Sequence, residues 1–228
     1  MPDQIEKLLV VALKPEWSFL KKTHKFAATT APYPLYKILG LGNAYLLQIG
    51  LGDFSKITWQ TFLKDHSPQA VFHFGTSGAL DSDHKAGEIY SITEVQCQDD
   101  KITTTATKHL ETATLLTVSK PLTSPEQKQK MGAATQCQLV DMESFAIAKS
   151  CQDQKIPYQL VRSVFDDVTD SLDELAGTHD KTGNLQSAQL AKSLALNPKL
   201  IFQLPKYQKR MQSIAEKMRH VIDDFLSQ

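Results

Sequence analysis

Residues 8–13 of the chain read LLVVAL, a continuous apolar run that follows charged residues and ends just before Pro15. A run of this kind is typical of a strand buried on both faces of a parallel sheet. Proline is favoured at the first position of a helix, so we expect Pro15 to open a helix through Trp17, Phe19 and Leu20. A buried strand that leads into a helix favours an α/β protein.

The rest of the chain repeats this alternation. Two further buried-strand patterns are residues 70–74 (AVFHF) and 157–165 (PYQLVRSVF). Helical spacing predicts helices at 54–65, 140–151, 185–196 and 205–226. Other extended segments are expected at 36–39 and 45–51 (a strand pair around the Gly42-Asn43 turn), 87–90, 101–109 and 115–118. We therefore predict a single three-layer α/β domain over residues 1–228, with a mixed central β-sheet flanked by helices.

Composition excludes several classes of protein. Lys plus Arg and Asp plus Glu each number 25, and this neutral balance argues against binding to nucleic acid or to an acidic membrane surface. The three cysteines, Cys97, Cys137 and Cys151, are widely spaced, which favours a reducing compartment over a disulfide framework. Neither a secretory signal nor a run long enough to span a membrane is recognisable, so we expect a cytoplasmic protein.

Distinctive residues follow each of the three buried-strand patterns. Glu16 comes after the first, Gly75-Thr76-Ser77-Gly78 after the second, and Asp166 after the third. Ligands of open α/β sheets bind at the carboxyl ends of the strands, so parallel strands would bring these residues into one site. Taken singly, each has a simpler interpretation: a solvated first-turn acid, a tight turn and a helix cap, respectively.

Glu143 is harder to explain as a surface residue. It lies among apolar neighbours in Val140-Asp141-Met142-Glu143-Ser144, at a predicted helix start. A carboxylate in such surroundings needs a partner or a ligand, although a helix-terminal acid is the simpler alternative. One carboxylate can accept hydrogen bonds from both the 2′ and 3′ hydroxyls of a ribose, which makes ribose a suitable ligand.

The acidic stretch Asp166-Asp167-x-x-Asp170 also suggests a magnesium site, as in isoprenoid synthases. Those proteins are all-helical and usually carry the motif twice on helices, whereas here it follows a strand and occurs once. The seven histidines show no metal-binding spacing. We therefore predict no metal and no cofactor.

Five segments in order resemble the nucleoside phosphorylase superfamily, in particular its nucleosidase branch, the methylthioadenosine/S-adenosylhomocysteine nucleosidases. They are 11–16 (VALKPE), 75–80 (GTSGAL), 86–89 (AGEI), 140–144 (VDMES) and 161–166 (VRSVFD). The resemblance covers most of residues 8–172. It implies hydrolysis of the N-glycosidic bond of a purine nucleoside, most readily an adenosine derivative with a 5′ substituent, and it also implies a homodimer.

The resemblance assigns roles to single residues. Glu16 matches the group that activates the attacking water, and Asp166 matches the acid that hydrogen-bonds N7 of the purine. Met142 and Glu143 match the clamp on the ribose. Thr76 and Gly78, also predicted to bind substrate, match the loop beside the ribose and the water.

The chemistry justifies these residue types independently. A purine anion is a poor leaving group, so its departure needs a proton, which a buried Asp with a raised pKa can supply. The ribosyl cation left behind is stabilised by a carboxylate environment, and a second carboxylate must deprotonate water on the opposite face.

Two departures from the nucleosidase pattern leave the substrate open. Phe165 stands where these nucleosidases usually have a small Ser, so its ring either lines the base pocket or fills the core. The segment between 115 and 140 is short, and 118–122 (VSKPL), followed by Pro125 and Lys128, looks more like nucleosidase-like proteins associated with hopanoid synthesis.

Two other functions remain as alternatives. A phosphorylase would need cationic groups around phosphate, but the corresponding regions hold Glu16 and His73. A non-catalytic nucleoside-binding protein could retain the fold, although it would have no need of both Glu16 and Asp166.

Overall fold

The computed structural model describes residues 4–172 and 199–228. Its strands are β1 (Lys7–Val11), β2 (Lys25–Ala28), β3 (Leu35–Leu39), β4 (Ala44–Gln48), β5 (Ala70–Ala79), β6 (Ile89–Cys97), β7 (Asp100–Thr103), β8 (Thr112–Thr117), β9 (Leu139–Asp141) and β10 (Tyr158–Asp166). Its α-helices are α1 (Gly52–Asp65), α2 (Pro125–Thr135), α3 (Ser144–Asp153) and α4 (Lys199–Ser227). In these parts of the chain, no helix is long and apolar enough to cross a membrane.

The strands form one mixed sheet, as the alternating pattern predicts. Strands β4, β1, β5 and β10 lie side by side and parallel, while β3 and β2 extend the sheet in antiparallel fashion. The long strand β5 pairs with β1 through its first half and with β9 at its end. Because β10, β6, β8 and β9 are also paired in succession, these four strands and β5 close into a ring.

The apolar run in β1 is buried on both faces, which confirms its predicted place in the middle of the sheet. Leu8 and Val10 pack in one core cluster with Phe62 of α1. Leu9 and Val11 pack in the other, with Phe225 of α4. Alternate side chains of a strand point to opposite faces, so helices cover the sheet on both sides.

Several boundaries differ from the sequence prediction. The chain after Pro15 forms two short 3₁₀ turns, Lys14–Glu16 and Ser18–Lys22, in place of an α-helix. Trp17 is buried against Phe26 of β2 and Tyr36 of β3, and this packing holds the two short turns against the sheet.

The prediction for the glycine segment is also wrong. Residues 75–78 form neither a tight turn nor a loop but lie inside β5. The stretch 140–151 divides into β9 and α3, and within 101–109 only the first three residues are strand. The predicted helices 54–65 and 205–226 lie within α1 and α4. The predicted helix 185–196 falls outside the described residues.

Candidate active site

The carboxyl ends of β1, β5 and β10 bring the predicted residues together. A cavity of about 190 Å³ opens at this edge, and its lining includes the six predicted residues Thr76, Gly78, Met142, Glu143, Phe165 and Asp166. Glu16 lies just behind Thr76 and borders a much smaller adjoining cavity beneath α4, to which Thr76 also contributes. Four segments far apart in the sequence thus form one site: the residues after β1, the end of β5, the turn between β9 and α3, and the end of β10.

Glu16 is held by neutral donors. Its Oε1 accepts hydrogen bonds from the backbone N of Thr76 (2.7 Å) and from Thr76 Oγ1 (2.6 Å). Its Oε2 accepts one from the backbone N of Leu13 (2.8 Å). The residue is only 6% exposed, so these bonds replace its hydration and fix the carboxylate against β5.

Arg162 in β10 is a site residue that the sequence analysis did not assign. It is 2% exposed, and its guanidinium lies so close to β5 that a Cβ on Gly75 would be 2.8 Å from Arg162 Nη1 and 3.2 Å from Glu16 Oε1. Gly75 therefore provides the space in which Arg162 and Glu16 approach each other. The position of a charged residue within the predicted buried strand 157–165 was the available signal, because such a residue is buried only with partners.

The partners of Arg162 fix its position. Its Nε and Nη2 both donate to Asp141 Oδ2 (3.1 and 2.8 Å), and Nη2 also donates to Ser144 Oγ (2.7 Å). Nη2 lies 3.0 Å from His73 Nε2, and because Arg can only donate, His73 accepts there and carries its proton on Nδ1, towards Tyr158. Complete burial, together with the adjacent guanidinium, holds the pKa of His73 well below its usual range.

Glu143 is the N-cap of α3, which confirms the predicted helix start. Its Oε1 accepts a hydrogen bond from the backbone N of Gly52 (3.1 Å), and its Oε2 accepts one from the backbone N of Met142 (3.3 Å). Burial, reinforced by the nearby charge of Asp141, raises the pKa of Glu143 to about 8. The surroundings of the carboxyl group therefore favour its protonated form.

Asp166, the last residue of β10, lies over Gly78 of β5. A Cβ on Gly78 would be 3.0 Å from Asp166 Oδ2 and 3.3 Å from Oδ1, so a larger residue would fit only if the carboxyl group moved by a few tenths of an ångström. Burial raises the pKa of Asp166 to about 6, although the ammonium group of Lys128, in contact with Oδ2, acts in the opposite direction. Asp166 thus exchanges its proton near neutrality.

The remaining acids of the stretch 166–170 form ion pairs with α4. Asp170 contacts Arg210 Nη1 (2.5 Å) and Lys206 Nζ (2.8 Å), and Asp167 contacts Arg210 Nη2 (3.1 Å). Within residues 4–172 and 199–228, no group of three or more Cys, His, Asp or Glu side chains is arranged to hold a metal ion. These carboxylates fasten the last helix to the end of β10.

Phe165 lines the cavity and is half-buried. Its ring stacks on Tyr207 of α4, with the centroids 5.4 Å apart and the planes inclined by 23°. Its backbone oxygen accepts a hydrogen bond from Arg210 Nη1 (3.0 Å). Of the two positions expected for the ring, the structure shows the one at the cavity wall.

This sheet and the site at its edge define an α/β protein with the nucleoside phosphorylase fold. The sequence profile of the Phosphorylase superfamily matches residues 98–196. Together with the fold, this match confirms the predicted resemblance to the superfamily.

Solved structures of nucleosidases share the fold over 84–97% of this chain. The 5′-methylthioadenosine/S-adenosylhomocysteine nucleosidase of Helicobacter pylori has a TM-score of 0.69 at 16% identity, with 97% of this chain and 99% of that one covered. Futalosine hydrolase of the same organism has a TM-score of 0.65 at 16% identity, covering 91% and 97%. The nucleosidase of Colwellia psychrerythraea, solved with adenine, has a TM-score of 0.61 at 18% identity, covering 84% and 95%.

Proposed function

We propose that the protein is an N-glycosidase that hydrolyses the bond between a purine base and ribose. The observation that carries this proposal is the position of two buried carboxylates on opposite edges of β5. Glu16 follows β1 and contacts Thr76, whereas Asp166 ends β10 and contacts Gly78. Two acids in different surroundings on either side of one strand suit a reaction that needs both a base and an acid.

Asp166 is the proposed acid. With a pKa of about 6, it can give a proton to N7 of the base while the bond between C1′ and N9 breaks and its electron pair leaves with the base. Protonation turns a poor leaving group into a neutral purine. Phe165 offers a flat apolar surface beside this position.

Glu16 is the proposed base for the attacking water. Its two oxygens are already oriented by Thr76 and Leu13, and Arg162 attracts the carboxylate across Gly75. Met142 and Glu143 are the proposed ribose contacts. The acids around Arg162 favour the positive charge that develops on the sugar, because a field fixed in advance stabilises the transition state.

Hydrolysis is favoured over phosphorolysis by the cavity wall. Among the described residues that line the cavity, none carries a cationic side chain. Nε and Nη2 of the nearby Arg162 are engaged by Asp141, Ser144 and His73. Phosphate needs several such donors at once, whereas water needs only a base.

The finer assignment of substrate is an adenosine derivative with a 5′ substituent. It is supported by the structural likeness to the methylthioadenosine/S-adenosylhomocysteine nucleosidases. The likeness to futalosine hydrolase makes other nucleosides necessary members of any substrate screen. A homodimer, implied by the resemblance, and a cytoplasmic location, expected from the widely spaced cysteines, complete the proposal. Light scattering at micromolar concentration would reveal a monomer instead.

The test is incubation with a panel of purine nucleosides, with and without phosphate. Release of free base in both buffers supports hydrolysis. Release only with phosphate identifies a phosphorylase, and binding without release identifies a non-catalytic binding protein. Glu16→Gln should lower the hydrolysis rate by about a hundredfold or more and largely spare affinity, because it removes the base without emptying the cavity.

The variant Asp166→Asn distinguishes the acid from a structural residue. Its loss of rate should be greatest for nucleosides with poor leaving groups and least for a p-nitrophenyl riboside, which needs no proton. Asp53→Asn, an exposed carboxylate at the start of α1, is the matched control and should retain the wild-type rate. A uniform loss across leaving groups would remove Asp166 from the chemistry.

A further inference from the structure

Lys128 of α2 is a fully buried cation next to the proposed acid. Its side chain has no exposed surface, and its ammonium group contacts Asp166 Oδ2. The same nitrogen donates to the backbone oxygens of Asp167 (3.0 Å) and Asp170 (2.8 Å). A lysine is rarely buried to this extent, and here each of its three hydrogens has an acceptor.

The start of α2 is built to hold this lysine in place. Ser124 caps the helix through its side chain, in a capping box with Gln127, and Pro125 occupies the first turn. The backbone N of Leu172 donates to the oxygen of Thr123 (2.9 Å), which joins the residue before the cap to the segment that follows Asp166. The start of α2, which carries Lys128, is thereby bonded to the segment that carries its acceptors.

We propose that Lys128 is a positioning residue that pairs with one oxygen of Asp166, directs the carboxyl group to the base and stabilises the carboxylate left after proton transfer. This inference rests on the proposed function. Because all three ammonium hydrogens are engaged by the protein, Lys128 itself has none to offer the substrate. It acts through Asp166, whose carboxyl group lines the cavity.

The charges around Asp166 are those of Lys128 on α2, Arg210 on α4, and the neighbouring Asp167 and Asp170. Arg210 is engaged by Asp167 and Asp170, so Lys128 is the cation in direct contact with Asp166 among the described residues. An opposite charge in contact lowers the pKa of a carboxyl group by about one to three units. Without it, burial would leave Asp166 a weaker acid and slower to release its proton.

The primary test compares Lys128→Gln with Lys130→Met in the full-length protein. Glutamine keeps a donor for the backbone oxygens but removes the charge, and Lys130 is an exposed lysine on the same helix. For a nucleoside substrate, the alkaline limb of kcat/KM should move up by about one pH unit or more in Lys128→Gln, because Asp166 must be protonated to act. At pH values below this limb, where Asp166 is protonated in both proteins, the same variant should lose up to about tenfold in kcat, because a weaker acid donates its proton more slowly.

A p-nitrophenyl riboside separates positioning from general damage to the fold. Its rate should be nearly unchanged in Lys128→Gln, while Lys130→Met should match the wild type with both substrates. An unmoved alkaline limb, or equal losses with both substrates, would overturn the proposal. If the wild type hydrolyses no nucleoside, the proposed function has failed, and the test of Lys128 passes to a direct titration.

That titration follows the aspartate carboxyl carbons by NMR in uniformly ¹³C-aspartate-labelled protein, with Asp166→Asn to assign the signal. Lys128→Gln should raise the titration midpoint of Asp166 by about one unit. If the single variant does not fold, folding restored in Lys128→Gln/Asp166→Asn supports a pair of mutually neutralising charges. The proposed role of Lys128 would be contradicted by an unshifted midpoint. It would also be contradicted if the double variant failed to fold while Asp166→Asn folded.

Discussion

The two ends of the site differ in how their charges balance. Around Arg162, which we call the Arg162 end, the three carboxyl groups of Glu16, Asp141 and Glu143 face a single guanidinium. Around Lys128, which we call the Lys128 end, three carboxylates face three cations. The carboxylates are Asp166, Asp167 and Asp170, and the cations are Lys128, Lys206 and Arg210. The first end has an excess of acid and the second is neutral.

This difference indicates what each end can do. Burial, reinforced by the excess of acid, raises the pKa of Glu143. The excess of acid also creates a field that favours the positive charge that develops on the ribose when the base departs. The balanced end keeps α4 attached and places one carboxyl group with a pKa near neutrality beside the cavity. One end is therefore suited to a cationic sugar and the other to a proton.

The largest effect should come from Arg162→Met. Removing the guanidinium leaves Asp141 buried without its cation, which costs about 3–5 kcal/mol of folding free energy. Arg210→Met removes a guanidinium from the other end, where Asp170 keeps Lys206, and should cost about 1 kcal/mol. Urea unfolding of both variants measures the contrast, and equal losses would show that the two ends do not differ in this way.

Glu143→Gln should change how stability depends on pH. The folded pKa of about 8 exceeds the unfolded value of 4.5, so the stability due to this proton is complete below pH 4.5 and is lost as the pH rises through 8. Glutamine keeps the shape and cannot ionise, but its amide nitrogen cannot accept one of the two backbone N–H groups that Glu143 accepts. We expect the variant to be about 1 kcal/mol less stable than the wild type near pH 5, and its stability relative to the wild type to rise by a few kcal/mol between pH 5 and pH 9.

The measurement for Glu143→Gln is urea unfolding at both pH values, with the partly exposed Glu94→Gln as control. A constant difference between variant and wild type across this range would contradict a protonated Glu143.

The smallest effect should come from Phe165→Ser. The ring is half-buried and stacks on Tyr207, so its loss should cost about 1–2 kcal/mol, less than truncation of a fully buried Phe. Because the ring of Phe165 also lines the cavity, the hydroxyl of the new serine would face the base there. This hydroxyl should sharpen the preference between adenosine and inosine. Melting temperature and the adenosine-to-inosine rate ratio, measured together, decide the matter, and a large drop in melting temperature with an unchanged ratio rules out the pocket role.

Much of the site followed from one rule applied to the sequence. The carboxyl ends of parallel strands meet at one edge, so the amino-acid sequence alone was enough to place together residues that follow the buried runs, such as Glu16 and Asp166. The glycines were misplaced because a strand that continues through Gly75 and Gly78 has the same local pattern as a strand that ends there. Only the side chains facing them, Arg162 and Asp166, show why those positions have no Cβ.

Arg162 and Lys128 were not assigned for a different reason. A cation within a buried strand pattern indicates that a partner exists, but neither this cation nor a lysine on a polar helix indicates which partner, because the partners lie far along the chain. Lys128 contacts residues about 40 positions away, and Arg162 contacts Asp141 and His73 on two other strands. Periodicity predicts which face of an element is covered, but not which charge on a neighbouring element covers it.

The closed ring of strands has a consequence for motion at the site. Strand β5 is paired with β10 from Val71 to Gly78, and on its other edge with β1 up to His73 and with β9 from Gly78, so residues 75–77 lie between segments that are paired on both edges. Backbone amides of the doubly paired segments exchange with solvent only through rare, large openings of the fold. Entry of substrate and escape of base must therefore depend on the surrounding segments, while the reacting centre keeps the rigidity of the innermost strand.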